Sequence, residues 1–197
     1  MADAGHFAVI SYTGNATSGA TIGHGMSAAP EMLWVKERDN ANGFIVSSTV
    51  IGFDKILRLD TTDDEASDAG AFNSTAPSAT LITLGSNNGT NRSGGQMICY
   101  AFRSVPGVCK IGSYIGNGST DGPYISTGFK PRWVLYRVID SGTNAYSWTV
   151  VDTARSPING PNSMVLHPNL DSADSSGSGN TIDILLNSFL NIITYHI

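Results

Sequence analysis

The chain has 197 residues and a formal net charge of −5, with only 14% of its residues charged, well below the roughly 25% of an average soluble domain. This balance argues against nucleic acid as the main partner, because phosphate binding needs clustered lysine and arginine and the sequence has no basic run. No apolar run approaches the ~20 residues of a membrane span, and the N-terminal MADAGHFAVI lacks the basic and apolar regions of a signal peptide.

What remains is an all-β expectation. The 22 glycines, with Asn, Ser and Thr crowded between apolar runs, describe many short strands joined by tight turns. In chain order the predicted strands are Phe7–Tyr12, Met32–Arg38, Phe44–Val50, Ile56–Leu59, Thr80–Leu84 and Gln96–Arg103, then Ile111–Ile115, Tyr124–Thr127, Arg132–Asp140, Tyr146–Asp152, Met164–His167 and Thr181–Leu186. In Met32–Arg38 the side chains Met32, Trp34 and Lys36 alternate with Leu33, Val35 and Glu37, as a pleated strand requires. Asn40–Gly43 and Ser141–Asn144 read as hairpin turns. Gly14–Gly19, Gly23-His24-Gly25 and Gly116–Gly122 read as further turns, Gly85–Gly95 as an exposed loop, and Ser172–Gly179 as a flexible one.

The order repeats itself. Ser11, Tyr12, Gly14 and Asn15 recur 102 residues later as Ser113, Tyr114, Gly116 and Asn117. Pro30, Leu33, Val35 and Lys36 recur 101 residues later as Pro131, Val134, Tyr136 and Arg137. A period this long is no solenoid unit. The expectation is a single β domain over residues 1–197, a jelly-roll or concanavalin-like β-sandwich of two pseudo-repeated halves, 7–103 and 111–197. The first half closes with Gln96–Arg103. The second ends in NSFLNIITYHI, so its closing strand is short or missing, and the apolar Asn187–Ile197 is expected to pack on a neighbouring subunit or, alternatively, to fold back on its own sheet.

No catalytic constellation stands out. His24 between two glycines reads as an exposed, idle side chain. Asp60, Asp63, Asp64, Glu65 and Asp68 lack calcium-loop spacing and read as a solvated loop. Asp152-Thr153-Ala154-Arg155-Ser156-Pro157 reads as a strand exit in which Arg155 is tied to Asp152 or to loop carbonyls. Gly14-Asn15 and Gly116-Asn117-Gly118 are turns rather than a phosphate cradle, and Gly177-Ser178-Gly179 is no nucleophile elbow. Trp34, Trp133 and Trp148 are expected in the core or between sheets rather than as sugar platforms. Pro30–Arg38 and Pro131–Asp140 are expected as equivalent central strands. Cys99 and Cys109 read as separate thiols in a reduced compartment, with a disulfide across a hairpin as the alternative. The five sequons at Asn15, Asn73, Asn88, Asn91 and Asn117 read as accidental. No catalytic residue, cofactor or metal is expected, and the binding residues are unknown.

The stretch SYIGNGSTDGPYISTGFKPRWVLYR with DTARSPIN, together with the first copy IGHGMSAAPEMLWVKERD and the pair MICYAF–GVCKIGSY, resembles a domain recurring in virion proteins of tailed bacteriophages. Tail fibres, tailspikes and related host-contact proteins carry it, and the resemblance covers about residues 7–190. It implies a non-enzymatic virion surface protein, assembled in the host cytoplasm as a homo-oligomer (a trimer by analogy with fibres). Such a protein contacts other virion proteins and a host glycan or protein. The family carries no established catalytic residues, so none transfers. This sequence departs from the family in its last strand, replaced by NIITYHI, and in being essentially the domain alone, which brings a capsid or tail decoration subunit forward as the alternative. A glycan depolymerase is the alternative from another class. It is disfavoured because glycosidases need two carboxylates about 5–10 Å apart and most acids here sit in one loop.

Overall fold

The computed structural model describes residues 5–117, 119, 122–139, 142, 146–155, 164–176, 182–185 and 188–191. The chain divides into two compact units, Met1–Leu59 with Glu65–Ile111, and Asp60–Asp64 with Gly112–Ile197. Strands dominate both, and among the described residues every strand pairing is antiparallel.

The first unit contains β1 (Phe7–Thr13), β2 (Ala20–Gly23), β3 (Met32–Glu37), β4 (Ile45–Ser48), β5 (Gly52–Arg58), β6 (Ala66–Ser67), the one-turn helix α1 (Ala69–Phe72), β7 (Leu81–Leu84), the one-turn helix α2 (Asn88–Asn91) and β8 (Gln96–Phe102). One sheet runs β1-β8-β3-β4-β5-β6, and β2 pairs with β7 in a separate ribbon. The alternation expected of β3 sets the layers. Leu33 and Val35 are fully buried and meet Met97, Cys99 and Ala101 of β8, while Ile22, Ile82 and Leu84 bring the ribbon into the same core beside Phe53 and Phe72. Burying a side chain of this size contributes about 1.5–3 kcal/mol, so these residues hold the ribbon and α1 against the sheet. β3 lies between β8 and β4, a central position, as expected of Pro30–Arg38.

The second unit contains β9 (Tyr124–Ser126), β10 (Trp133–Tyr136), β11 (Thr149–Asp152), β12 (Met164–Val165), β13 (Ser175–Ser176), β14 (Ile182–Ile184) and β15 (Ser188–Asn191). Its pairings are β10-β11, β12-β13 and β14-β15-β9, with a bridge from Val150 to Leu166. Val134, Val151, Val165, Ile182 and Ile184 form its core. The registers follow those of the first unit. Leu33↔Ser47, Val46↔Leu57 and Ile56↔Ala66 are answered by Val134↔Val151, Val150↔Leu166 and Val165↔Ser175.

Several expectations are corrected. Residues 111–117 form no strand. In the first unit β1 is held by β8, and the chain that could play that part in the second unit pairs elsewhere. Ser188–Asn191 lies between β14 and β9, bonded on both sides within its own chain. Neither edge of those four residues is open to another strand, and 192–197 lie outside the described residues. β10 has β11 as its one partner among the described strands, and Trp133 is 53% exposed, so Pro131–Asp140 is not a buried central strand like β3. β2 and both helical turns were not expected. Ser141–Asn144, Ser156-Pro157 and Gly177-Ser178-Gly179 fall mostly or wholly outside the described residues.

Candidate functional site

The outward face of the first sheet carries the aromatic side chains of alternate positions. Phe7 of β1, Trp34 of β3, and Tyr100 and Phe102 of β8 point away from the core, because the residues between them point into it. Register places them side by side: Phe7 lies opposite Phe102, and Trp34 opposite Tyr100. The ring centroids of Trp34 and Phe102 are 4.7 Å apart, those of Phe7 and Phe102 5.1 Å, and those of Phe7 and Tyr100 6.4 Å at an interplanar angle of 18°. With Phe44 and Leu59 they line a groove of about 300 Å³. No lining residue is charged. Phe7 is 45% exposed, and next to it on β1 Val9 is 54% exposed. The indole N–H of Trp34 is buried without an acceptor among the described residues. Of the three tryptophans, Trp148 is buried as expected, Trp34 is half-buried in the groove wall, and the exposed Trp133 is a correction.

A second feature is a set of polar loops fixed from within. Residues 85–95 do not form the exposed loop expected of so much glycine and asparagine: Gly89, Thr90 and Asn91 are buried. Asn91 donates to the carbonyls of Thr17 (3.1 Å) and Gly85 (2.6 Å) and accepts from the Asn15 amide (2.8 Å). Thr90 donates to the Ala71 carbonyl at 2.9 Å, and Tyr12 to the Thr90 carbonyl at 2.5 Å. Burial raises the Tyr12 phenol far above its ordinary range. Side-chain amides and hydroxyls here replace the partners a strand would supply. Packing is close enough that a Cβ at Gly85 would overlap the Gly70 carbonyl and one at Gly14 the Arg92 carbonyl, so both positions require glycine.

His24 is also a correction. It is 4% exposed, with Nε2 at 3.2 Å from the Ser78 carbonyl and Nδ1 accepting from the Met26 amide at 3.1 Å. The positive φ of Gly25 folds the chain back so that the ring fastens the end of the ribbon. The imidazole is therefore a structural fastener.

Charges are paired. Glu37 is fully buried, held by Arg92 Nε and by Asn42 Nδ2 at 2.5 Å. That hydrogen bond holds the Arg92 guanidinium above its ordinary pKa, helped by Asp39. The acidic segment is divided. Glu65 pairs with Lys55, Asp68 accepts from Asn87 at 2.5 Å, and the carbonyls of Thr61, Thr62 and Asp63 receive Arg137 at 3.4, 2.9 and 2.6 Å. Burial lowers the Arg137 pKa against the pull of Asp64 and Asp63, and its guanidinium lies 5.3 Å from the Trp148 ring centre. Among the described residues no group of three or more His, Cys, Asp or Glu is placed to hold a metal.

Arg155 is tied to Asp152, as its place at the strand exit suggested. Its Nε lies 2.8 Å from Oδ2, while Asp152 Oδ1 accepts the Arg155 and Ala154 amides at 2.9 Å each. The Arg155 amide chiefly, with the Ala154 amide and the guanidinium, holds the Asp152 carboxyl below the usual range. Cys99 and Cys109 are free thiols, and burial pushes Cys99 up to about 12. No helix among the described residues is long and apolar enough to cross a membrane.

The aromatic groove is the feature whose chemistry points outward. Apolar rings presented on one face of a sheet can bind a ligand or a partner. The sequence placed its members in strands but did not single them out, because their meeting depends on the β1-β8-β3-β4-β5 strand order, which no local pattern encodes. Comparison with curated proteins and with solved structures gave no match. The family described as Domain of unknown function (DUF7483) matches residues 2–193, and the chain belongs to that family.

Proposed function

We propose that the chain is a non-enzymatic structural protein of a tailed-bacteriophage virion, a surface module of the tail-fibre or receptor-binding type that assembles with copies of itself, as a trimer in the fibre case. The observation that carries the binding part of this reading is the groove of Phe7, Trp34, Phe44, Leu59, Tyr100 and Phe102, an apolar recognition surface on a sheet whose other face is packed. The phage assignment itself rests on the sequence resemblance. Within the same reading, the two units are duplicated halves of a β-sandwich plan. The matched registers of β3-β4-β5-β6 and β10-β11-β12-β13 support duplication.

The uncharged lining favours a neighbouring virion protein over a free sugar, since sugar sites add directed polar groups to their aromatic rings. That keeps the capsid or tail decoration subunit as a second reading. An antibody against the chain, applied to purified virions of the phage that encodes it, tests the assignment. Label on the tail tip is expected for recognition, label spread over the shell identifies the decoration subunit, and particles without label overturn the virion reading. Release of reducing sugar from host polysaccharide by the purified chain would overturn its non-enzymatic character.

A further inference from the structure

β1 is an edge, and its construction is that of a strand awaiting a neighbour. It carries seven residues, FAVISYT, with no charge, proline or bulge along its length, whereas natural edges are usually blunted by such devices. Its hydrogen bonding to β8 can be read from the flanking pairs. Arg103 donates to the His6 carbonyl and Gly14 to the Gly95 carbonyl, each at 2.9 Å. In an antiparallel pair both backbone groups of every second residue face the partner, so Ala8, Ile10 and Tyr12 bond to β8. The N–H and C=O groups of Phe7, Val9, Ser11 and Thr13 face the open side, where no described residue meets them.

The side chains are equally unfinished. On the core face, Met97, Cys99 and Ala101 of the adjacent β8 are fully buried, while Ala8, Ile10 and Tyr12 of β1 are only partly buried. On the outer face Phe7 and Val9 stand 45% and 54% exposed. An occupant must therefore be an uncharged strand that is apolar on its core face.

We infer that the occupant is β1 of a second copy of this chain, added antiparallel about a two-fold axis beside Ile10. This rests on the self-association part of the proposed function and deepens it with a two-fold contact in place of the three-fold one of the fibre case. The ladder closes on itself under that symmetry. Phe7 meets Thr13 of the other copy and Val9 meets Ser11, and all four are residues whose backbone groups face outward. Ile10 then meets Ile10, and Ala8 meets Tyr12, on the core face. Cross-strand neighbours share a face, so the half-covered core of one copy continues into that of the other, and two six-stranded sheets become one of twelve. The chain's net charge of −5 opposes self-association in general, but none of it falls on this strand. One strand pair buries less than the ~800 Å² per partner of a standard stable interface, so the dimer is weak and concentration-dependent.

Sedimentation of the full chain up to the order of 1 mM, the affinity range of weak complexes, tests this with two variants. Val9→Lys/Ser11→Lys sets like charges opposite each other across the two-fold, and Val9→Glu/Ser11→Glu does the same with the other sign. Both changes are at exposed side chains and leave the β1–β8 ladder intact, which an unchanged melting temperature verifies. Wild type is expected to dimerise, each variant to associate about tenfold or more weakly, and an equal mixture of the two to recover association through lysine–glutamate pairs. A wild type monomeric throughout overturns both this inference and the homo-oligomeric reading. A wild type that associates while the variants and their mixture behave like it overturns the β1 contact alone.

Discussion

Each unit is built on antiparallel strands, and the two differ in which strands close the set. In the first, β8 enters between β1 and β3 and turns four strands into six. In the second, the last described strand, β15, goes between β14 and β9 instead, and residues 111–117, which repeat the sequence around β1, form no strand. Similar sequence thus becomes strand in one place and not in the other. β-structure is a property of pairs, and strand propensity has no effect until a neighbour supplies the hydrogen bonds. The cores follow suit: nine members of the first core are at most 1% exposed, whereas only Ile182 of the second is.

The comparison is broken most severely by removing the element that differs. Deleting residues 188–197 takes away the central strand of the β14-β15-β9 sheet, and the second unit is expected to lose cooperative unfolding while the first keeps it. Hydrogen exchange checks this: protection should vanish at Val134, Val150 and Val151 and persist at Leu33, Val35 and Cys99. Uniform loss across both units would mean that they do not fold separately.

A smaller effect sharpens the contrast within the second unit. Trp148 is 5% exposed and stacked on Arg137, so Trp148→Ala should cost about 3–5 kcal/mol. Trp133 is 53% exposed, and Trp133→Ala should stay within about 0.5 kcal/mol. Urea titrations of the two variants decide it, and equal losses would place Trp133 in a packed environment after all.

The smallest effect concerns pH. The Asp152 carboxyl is held below its unfolded value by the Arg155 and Ala154 amides and the guanidinium. Its contribution is therefore complete above the ordinary carboxylate pKa of about 3.9 and is lost as pH falls through the lower folded value. Asp152→Asn should reduce the melting temperature near neutrality and converge with wild type in acid. A difference independent of pH would show that the charge plays no part.

How much of this was legible follows from the kind of signal each element carries. β3 was readable because Leu33, Val35 and Glu37 alternate with Met32, Trp34 and Lys36, and its central place followed from apolar residues on both faces. β8 was readable in the same way. β2 was hidden, since ATIG offers one large apolar side chain in four residues and sits between glycine turns. The burial of Gly89, Thr90 and Asn91 was invisible for a different reason. Asn91 ties residues 15–17 to Gly85 through one amide, and composition records an asparagine identically whether it faces water or Thr17, Gly85 and Asn15. His24 misled for the same reason, because a ring between glycines looks idle until Met26 and Ser78 are brought to it. In the groove, Phe7, Trp34, Tyr100 and Phe102 were legible as strand residues, but their meeting depended on the β1-β8-β3 order, a long-range fact.

The loop cluster built on Asn91 has a consequence for anyone wishing to give the protein new specificity. Gly14 and Gly85 tolerate nothing larger, and Ala16, Asn73 and Ser74 hold left-handed backbone that most residues resist. Thr17 and Ser18 stand exposed between them. A combinatorial library is therefore best concentrated on those two codons, where variety is displayed on a frame that the surrounding positions keep from drifting.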